Sequence, residues 1–162
     1  MNPRLPILAF LLLSVSTAVF SQDKPDLFLR AEAVFKAKDP RWKIEKIYSP
    51  TSDDPFSESI VLRSEEGQAS VQLTIWKRLE DAVSTFDGES IGFDRGMGKR
   101  MEKSILPNFG DTNHFWTNAA SEAWPTLKFR KGTVLVTVFG PSIKTVKSFG
   151  HEMLELIADQ TH

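Results

Sequence analysis

The sequence predicts an α+β domain: a mainly antiparallel sheet from two β-β-β-α halves, preceded by an N-terminal helix and layered with helices as an α/β sandwich. Three observations predict it. Two alternating polar and apolar stretches each fold back on a neighbour through a short glycine-containing turn. Three further segments carry apolar residues at helical spacing. The order of strands and helix in the first half recurs in the second. The chain has 162 residues, 41% hydrophobic and 25% charged, with no cysteine. That is material for one core and excludes a disulfide-stapled scaffold.

At the N-terminus, Arg4 followed by the apolar run Leu5 to Leu13 and small residues through Ser21 reads as a secretory signal peptide. The run falls short of the roughly 20 residues a spanning helix needs, so cleavage is expected after Ser21 and the domain is expected to occupy residues 22–162. The remaining 141 residues carry 19 Lys+Arg against 21 Asp+Glu, and no other stretch is apolar enough to cross a bilayer. The expected location is extracytoplasmic, periplasmic or secreted. A near-neutral chain of interspersed charge lacks the basic field that nucleic-acid binding requires.

Leu27, Ala31, Val34 and Phe35 set a helix over Asp26 to Lys38, stopped by Asp39-Pro40. Trp42, Ile44, Ile47 and Tyr48 mark a strand, closed by the turn-forming run Ser49 to Pro55. A hairpin follows, with arms over 57–64 and 69–77 and a turn at Glu65 to Gln68. Its second arm alternates, with Ala69, Val71, Leu73 and Ile75 on one side and Ser70, Gln72, Thr74 and Trp76 on the other. Leu79, Ala82, Val83 and Phe86 open a central helix that Asp87-Gly88 is expected to interrupt. Phe93, Met97, Met101 and Ile105 then carry it every fourth residue to Pro107. Asn113 to Glu122 is expected to be extended. A second hairpin joins Thr126–Arg130 to Thr133–Phe139 through Lys131-Gly132, with Val134, Val136 and Val138 as its inner row. Ser142 caps the last helix, whose stripe is Ile143, Val146, Gly150, Met153, Leu154 and Ile157.

Leu73 to Trp76, Val83 and Phe86 correspond at a constant offset of 63 to Val136 to Phe139, Val146 and Phe149. This raises an internal duplication, against the plainer reading that any hairpin followed by a helix recurs in this way. The order of elements over residues 40–158, with the Trp42 strand, the two hairpins, the run Glu122-Ala123-Trp124 and the closing amphipathic helix, resembles the PsbP/DcrB-like α/β/α sandwich family. That resemblance implies an extracytoplasmic accessory or scaffolding role without a shared catalytic site, and it carries over no functional residue.

Absent cysteines exclude thiol nucleophiles and thiolate metal sites, and only His114, His151 and His162 remain as imidazoles. His151 lacks the second histidine of a zincin helix. Ser142 has glycine on one side only and Thr145 where a lysine would be needed, so neither a hydrolase elbow nor a penicillin-binding-type serine is present. Gly96, Gly98 and Lys99 miss phosphate-loop spacing, since Phe93 and Arg100 stand at the required Gly and Ser/Thr positions. No cofactor and no metal are expected.

Gly88, Gly92 and Gly96 would form a smooth ridge on the central helix, for close approach to the sheet or a partner. Arg95, Lys99 and Lys103 would share one of its faces, either as a solvated surface or as a site for an anionic partner. Trp76, Phe115, Trp116 and Trp124 are the candidate binding aromatics, suited to a glycan or to another envelope protein if they face solvent and to the core if helices roof both sheet faces. The sequence thus points to an exported, non-enzymatic binding or accessory protein. The alternatives are a small hydrolase or transferase using Asp111 or Glu122 with His114, and a structural envelope protein without a ligand.

Overall fold

Alternation along the strands decides which residues turn inward, and in the computed structural model it builds one seven-stranded, wholly antiparallel sheet. The structure describes residues 25–37, 39–48, 55–97, 101–118 and 121–159. The expected signal peptide and the turn run over 49–54 lie outside them. The chain runs α1 (Asp26–Ala37), β1 (Lys43–Tyr48), β2 (Phe56–Ser64), β3 (Gly67–Ile75), α2 (Leu79–Met97), β4 (Met101–Ser104), β5 (Thr112–Asn118), β6 (Ser121–Lys131), β7 (Val134–Phe139) and α3 (Ile143–Ala158). The sheet order is β1-β2-β3-β7-β6-β5-β4. This is the α+β layered fold that the alternation and helical spacing predict. Among the described residues no helix is long and apolar enough to cross a membrane.

The main core lies on one face. There Ile60, Leu62, Val71, Leu73, Leu127, Phe129, Val136 and Val138 meet Leu27, Ala31 and Phe35 of α1 and Val146, Phe149 and Met153 of α3. Ser142 caps α3, its hydroxyl accepting from the Thr145 backbone N–H at 3.1 Å. The opposite face carries a smaller cluster, Ala82 and Phe86 of α2 against Leu135, with Trp76 beside them.

Two expectations are corrected. The central helix runs straight through Asp87-Gly88 and ends at Met97, and Met101 begins a strand paired with Asn118 rather than a further helical turn. Apolar residues every fourth position are equally compatible with a helix that gives way to a strand. Gly96 and Gly98, each costing about 1 kcal/mol inside a helix, favour the change. The second half consequently has four strands before its helix.

The likeness between the two halves does not extend to packing. Leu73 pairs with Val136, the residue 63 positions on, and a two-fold axis through that pair would send both helices to the same face. They lie on opposite faces instead, and the corresponding Val83 and Val146 are 38% and 0% exposed.

Close contacts fix where α3 sits. A Cβ added at Gly150 would lie 2.5 Å from Leu127 Cδ2 and 3.0 Å from Phe109 Cε1, so this helix rests on the sheet with no room for a methyl group. The turn between β2 and β3 has two residues, Glu65 and Glu66, and Gly67 takes a φ of 132° against Pro141 just before α3. By contrast, nothing lies within 4 Å of a Cβ added at Gly88 or Gly92. Those two positions therefore make no close approach to the sheet, and Gly96 lies outside the described side-chain positions.

Two glycine-to-alanine changes in helix interiors should then act in opposite directions. Gly88→Ala should raise unfolding free energy by up to about 1 kcal/mol through helix propensity and a stiffer unfolded chain. Gly150→Ala should lower it by about 1–3 kcal/mol through overpacking against a buried leucine. Urea denaturation of the two variants, with m-values checked for constancy, measures both.

Candidate functional site

Where α1 ends, β1 begins and α3 starts, the layers leave a cavity of about 250 Å³. Its floor is aromatic. Phe35 and Trp42 stand edge-on to Phe149, with ring centroids 5.1 and 5.3 Å away and interplanar angles of 68° and 76°. Such perpendicular pairs are stable contacts, but three rings meeting this way do not close the space above them.

The rim is ionic and comes from three separate stretches. Asp39 and Arg41 arrive from the α1–β1 link, Glu66 from the β2–β3 turn, and Lys144, Ser148 and Glu152 from successive turns of α3. Arg41 donates from all three of its guanidinium nitrogens. Its Nε and Nη2 donate to the two carboxylate oxygens of Asp39 at 3.0 and 2.7 Å, and Nη1 donates to Glu66 at 3.3 Å. This fork holds the Asp39 carboxyl below its ordinary pKa and pushes the Arg41 guanidinium above its own.

The aromatics singled out from sequence do not form one surface. Phe115 is in the main core and Trp116 faces the other way beneath α2, because neighbouring residues of β5 alternate and both faces are roofed. Trp116 is 2% exposed and its indole N–H donates to Asp94 at 2.7 Å. Trp76 is half-buried in the α2 cluster. Trp124 is 56% exposed. It sits at a φ of 60° where residues 122–125 of β6 stand opposite the single residue Thr117, a bulge that turns its ring outward. Arg95 is exposed near the end of α2, and Lys99 lies outside the described residues. Lys103 belongs to β4 rather than the helix and donates to Asp94 at 2.7 Å. The expected basic helix face is therefore not assembled.

The acid/base candidates are also separated. Asp111 accepts from Arg130 at 3.1 Å, Lys131 at 3.2 Å and the Gly132 backbone N–H at 2.8 Å, which fastens it to the β6–β7 turn. His114 lies under α2 between Phe86 and Trp116, with ring centroids 5.2 and 5.5 Å away, and its Nδ1 is buried without a hydrogen-bond partner. The side chain of Glu122 lies outside the described residues. Near His114, Lys128 is buried, Glu89 accepts from its ammonium, and burial pushes its pKa down. Among the described residues no group of His, Asp and Glu is placed to hold a metal ion.

Sequence reading missed the cavity. Lys144, Ser148 and Glu152 do recur every fourth residue, a spacing that places them on one flank of α3. Their meeting with Asp39, Arg41 and Glu66 is a product of tertiary packing. No family model matches the chain, and no curated protein matches it. Among solved structures it is similar to a GTP binding regulator from Thermotoga maritima. The TM-score is 0.50 at 12% sequence identity, over 82% of this chain and 87% of that one. At that identity the likeness shows the fold alone.

The buried imidazole makes a pH prediction. Burial first, then the nearby Lys103, pulls the His114 pKa below its ordinary 6.5, against Asp94 and Asp87. The unfolded chain therefore binds this proton more readily than the native one, and stability should fall as pH drops below about 6.5. His114→Phe keeps a ring between Phe86 and Trp116 and removes the titration. Thermal unfolding between pH 7.5 and 5 should show a declining midpoint in the parent, with that decline reduced in the variant.

Proposed function

We propose that this protein is an exported, non-enzymatic binding or accessory module of the cell envelope, and that its ligand occupies the cavity between α1, β1 and α3. The observation that carries the reading is the cavity: an aromatic floor under a rim of both charge signs, at the junction of three elements, is the arrangement small-molecule sites share. The signal-like N-terminus supports the location, and the resemblance to the PsbP/DcrB-like family supports an accessory role. A hydrolase or transferase built on Asp111 and His114 finds less support, because the first is bound into a turn and the second is stacked beneath a helix.

Filling the cavity tests this. Ser148 is exposed and lines the opening, so Ser148→Trp should plug it without entering the core. Saturation-transfer NMR with a panel of anionic, cationic, zwitterionic and neutral fragments of about ten heavy atoms should give hits with the parent chain. These hits should disappear with the variant at an unchanged melting temperature. The same hits with both chains, or none with either, would refute the cavity as the ligand site.

A further inference from the structure

We infer that the cavity takes a small amphiphilic anion: an aryl or branched alkyl body on the aromatic floor, and a carboxylate or similar single negative charge at Lys144. The inference rests on the cavity reading above and adds the ligand's class. Size comes first. An apolar cavity of about 150 Å³ accommodates benzene, so one of about 250 Å³ holds a body of that size with a short polar arm, about ten heavy atoms.

The sign of the polar arm follows from which ionic groups are already satisfied. In the fork described above Arg41 offsets one of the two carboxylate charges of Asp39 and Glu66 and donates to both, leaving a single net negative charge over the three groups. Glu152 has an interaction of its own. Lys144 is the ionic lining residue left without an ion-pair or hydrogen-bond partner among the described residues, and it stands at the cavity's edge in the first turn of α3. Glu152 is eight positions further along the helix, about 12 Å along its axis, and at physiological ionic strength charges that far apart at a surface are largely screened. The first turn of α3 holds no acidic residue, so the helix end adds to the lysine's field rather than opposing it. A ligand cation would share carboxylates that already accept from Arg41, or compete for Glu152. An anion meets an unused ammonium.

Three probes of nearly equal size separate the possibilities: phenylacetate, its neutral amide 2-phenylacetamide, and phenethylammonium. Binding is measured by titration calorimetry or by ligand-observed NMR, with the parent chain, Lys144→Gln and Ser148→Trp. Phenylacetate should bind the parent most tightly of the three. It should lose about fivefold in affinity in Lys144→Gln, the size of one partly exposed ion pair. 2-Phenylacetamide should bind both chains alike, and Ser148→Trp should bind none of the probes. Phenethylammonium binding as tightly as phenylacetate, or phenylacetate indifferent to Lys144→Gln, would overturn the anion while leaving the cavity as a site. Probes that bind the parent and Ser148→Trp equally would overturn the cavity reading itself.

Discussion

Val134, Val136 and Val138 point to one face of the sheet and Leu135 to the other, and all four are buried, so the strand they share must be roofed on both sides. Strand β6 beside it is buried from residue 125 to 129 without a break, as expected for a strand covered on both faces. The course of the chain answers that requirement. From β3 it crosses to the Leu135 face as α2, and from β7 it returns to the valine face as α3, where α1 joins it. A duplicated pair of helices on one face would have left Leu135 and Trp116 in water.

The two roofs are held differently. The valine face buries a continuous apolar cluster drawn from the sheet, α1 and α3, and each large aliphatic or aromatic side chain taken out of water there contributes about 1.5–3 kcal/mol. Under α2 the buried apolar cluster among the described residues is Ala82, Phe86 and Leu135. Polar anchors make up the remainder: Glu89 with Lys128, and Asp94 with both Lys103 and the Trp116 indole. Pairs with one exposed partner hold weakly, and Glu89 is exposed. The helix that carries two unpacked glycines is thus also the one with the least apolar attachment, and local opening would start there rather than at α3.

How much of this was legible in the sequence depends on whether a feature is local. The alternation of β3, the valine row of β7, the Ser142 cap and the boundaries of α1 could be read directly, because each reports a period or a single capping oxygen. The end of α2 could not. Met101 and Ile105 continue a helical spacing, and only the pairing of Met101–Ser104 with β5 assigns that stretch to the sheet. The aromatics misled for a related reason. Phe115 and Trp116 are neighbours in sequence, which on a strand puts them on opposite faces, and the roof on each face buries them both. The cavity was least legible, since its charged groups come from positions 39–41, 66 and 144–152.

That wide spacing has a physical consequence for when the site exists. Phe35 reaches the floor only when α1 is docked, Trp42 comes from the link that follows that helix, Glu66 comes from the β2–β3 turn beside Pro141, and Lys144 belongs to α3, the last helix in the chain. No partial structure lacking either the first helix or the last contains it. A molecule bound there interacts with the native state and not with the unfolded chain, so its binding free energy adds to stability at the junction of the first and last helices. The floor and rim also differ in how they tolerate change. Phe149 and Trp42 belong to the main core and cannot vary without cost to folding, whereas Lys144 and Ser148 are exposed. The rim can therefore change while the aromatic floor, and with it the docking of α1 on α3, stays fixed.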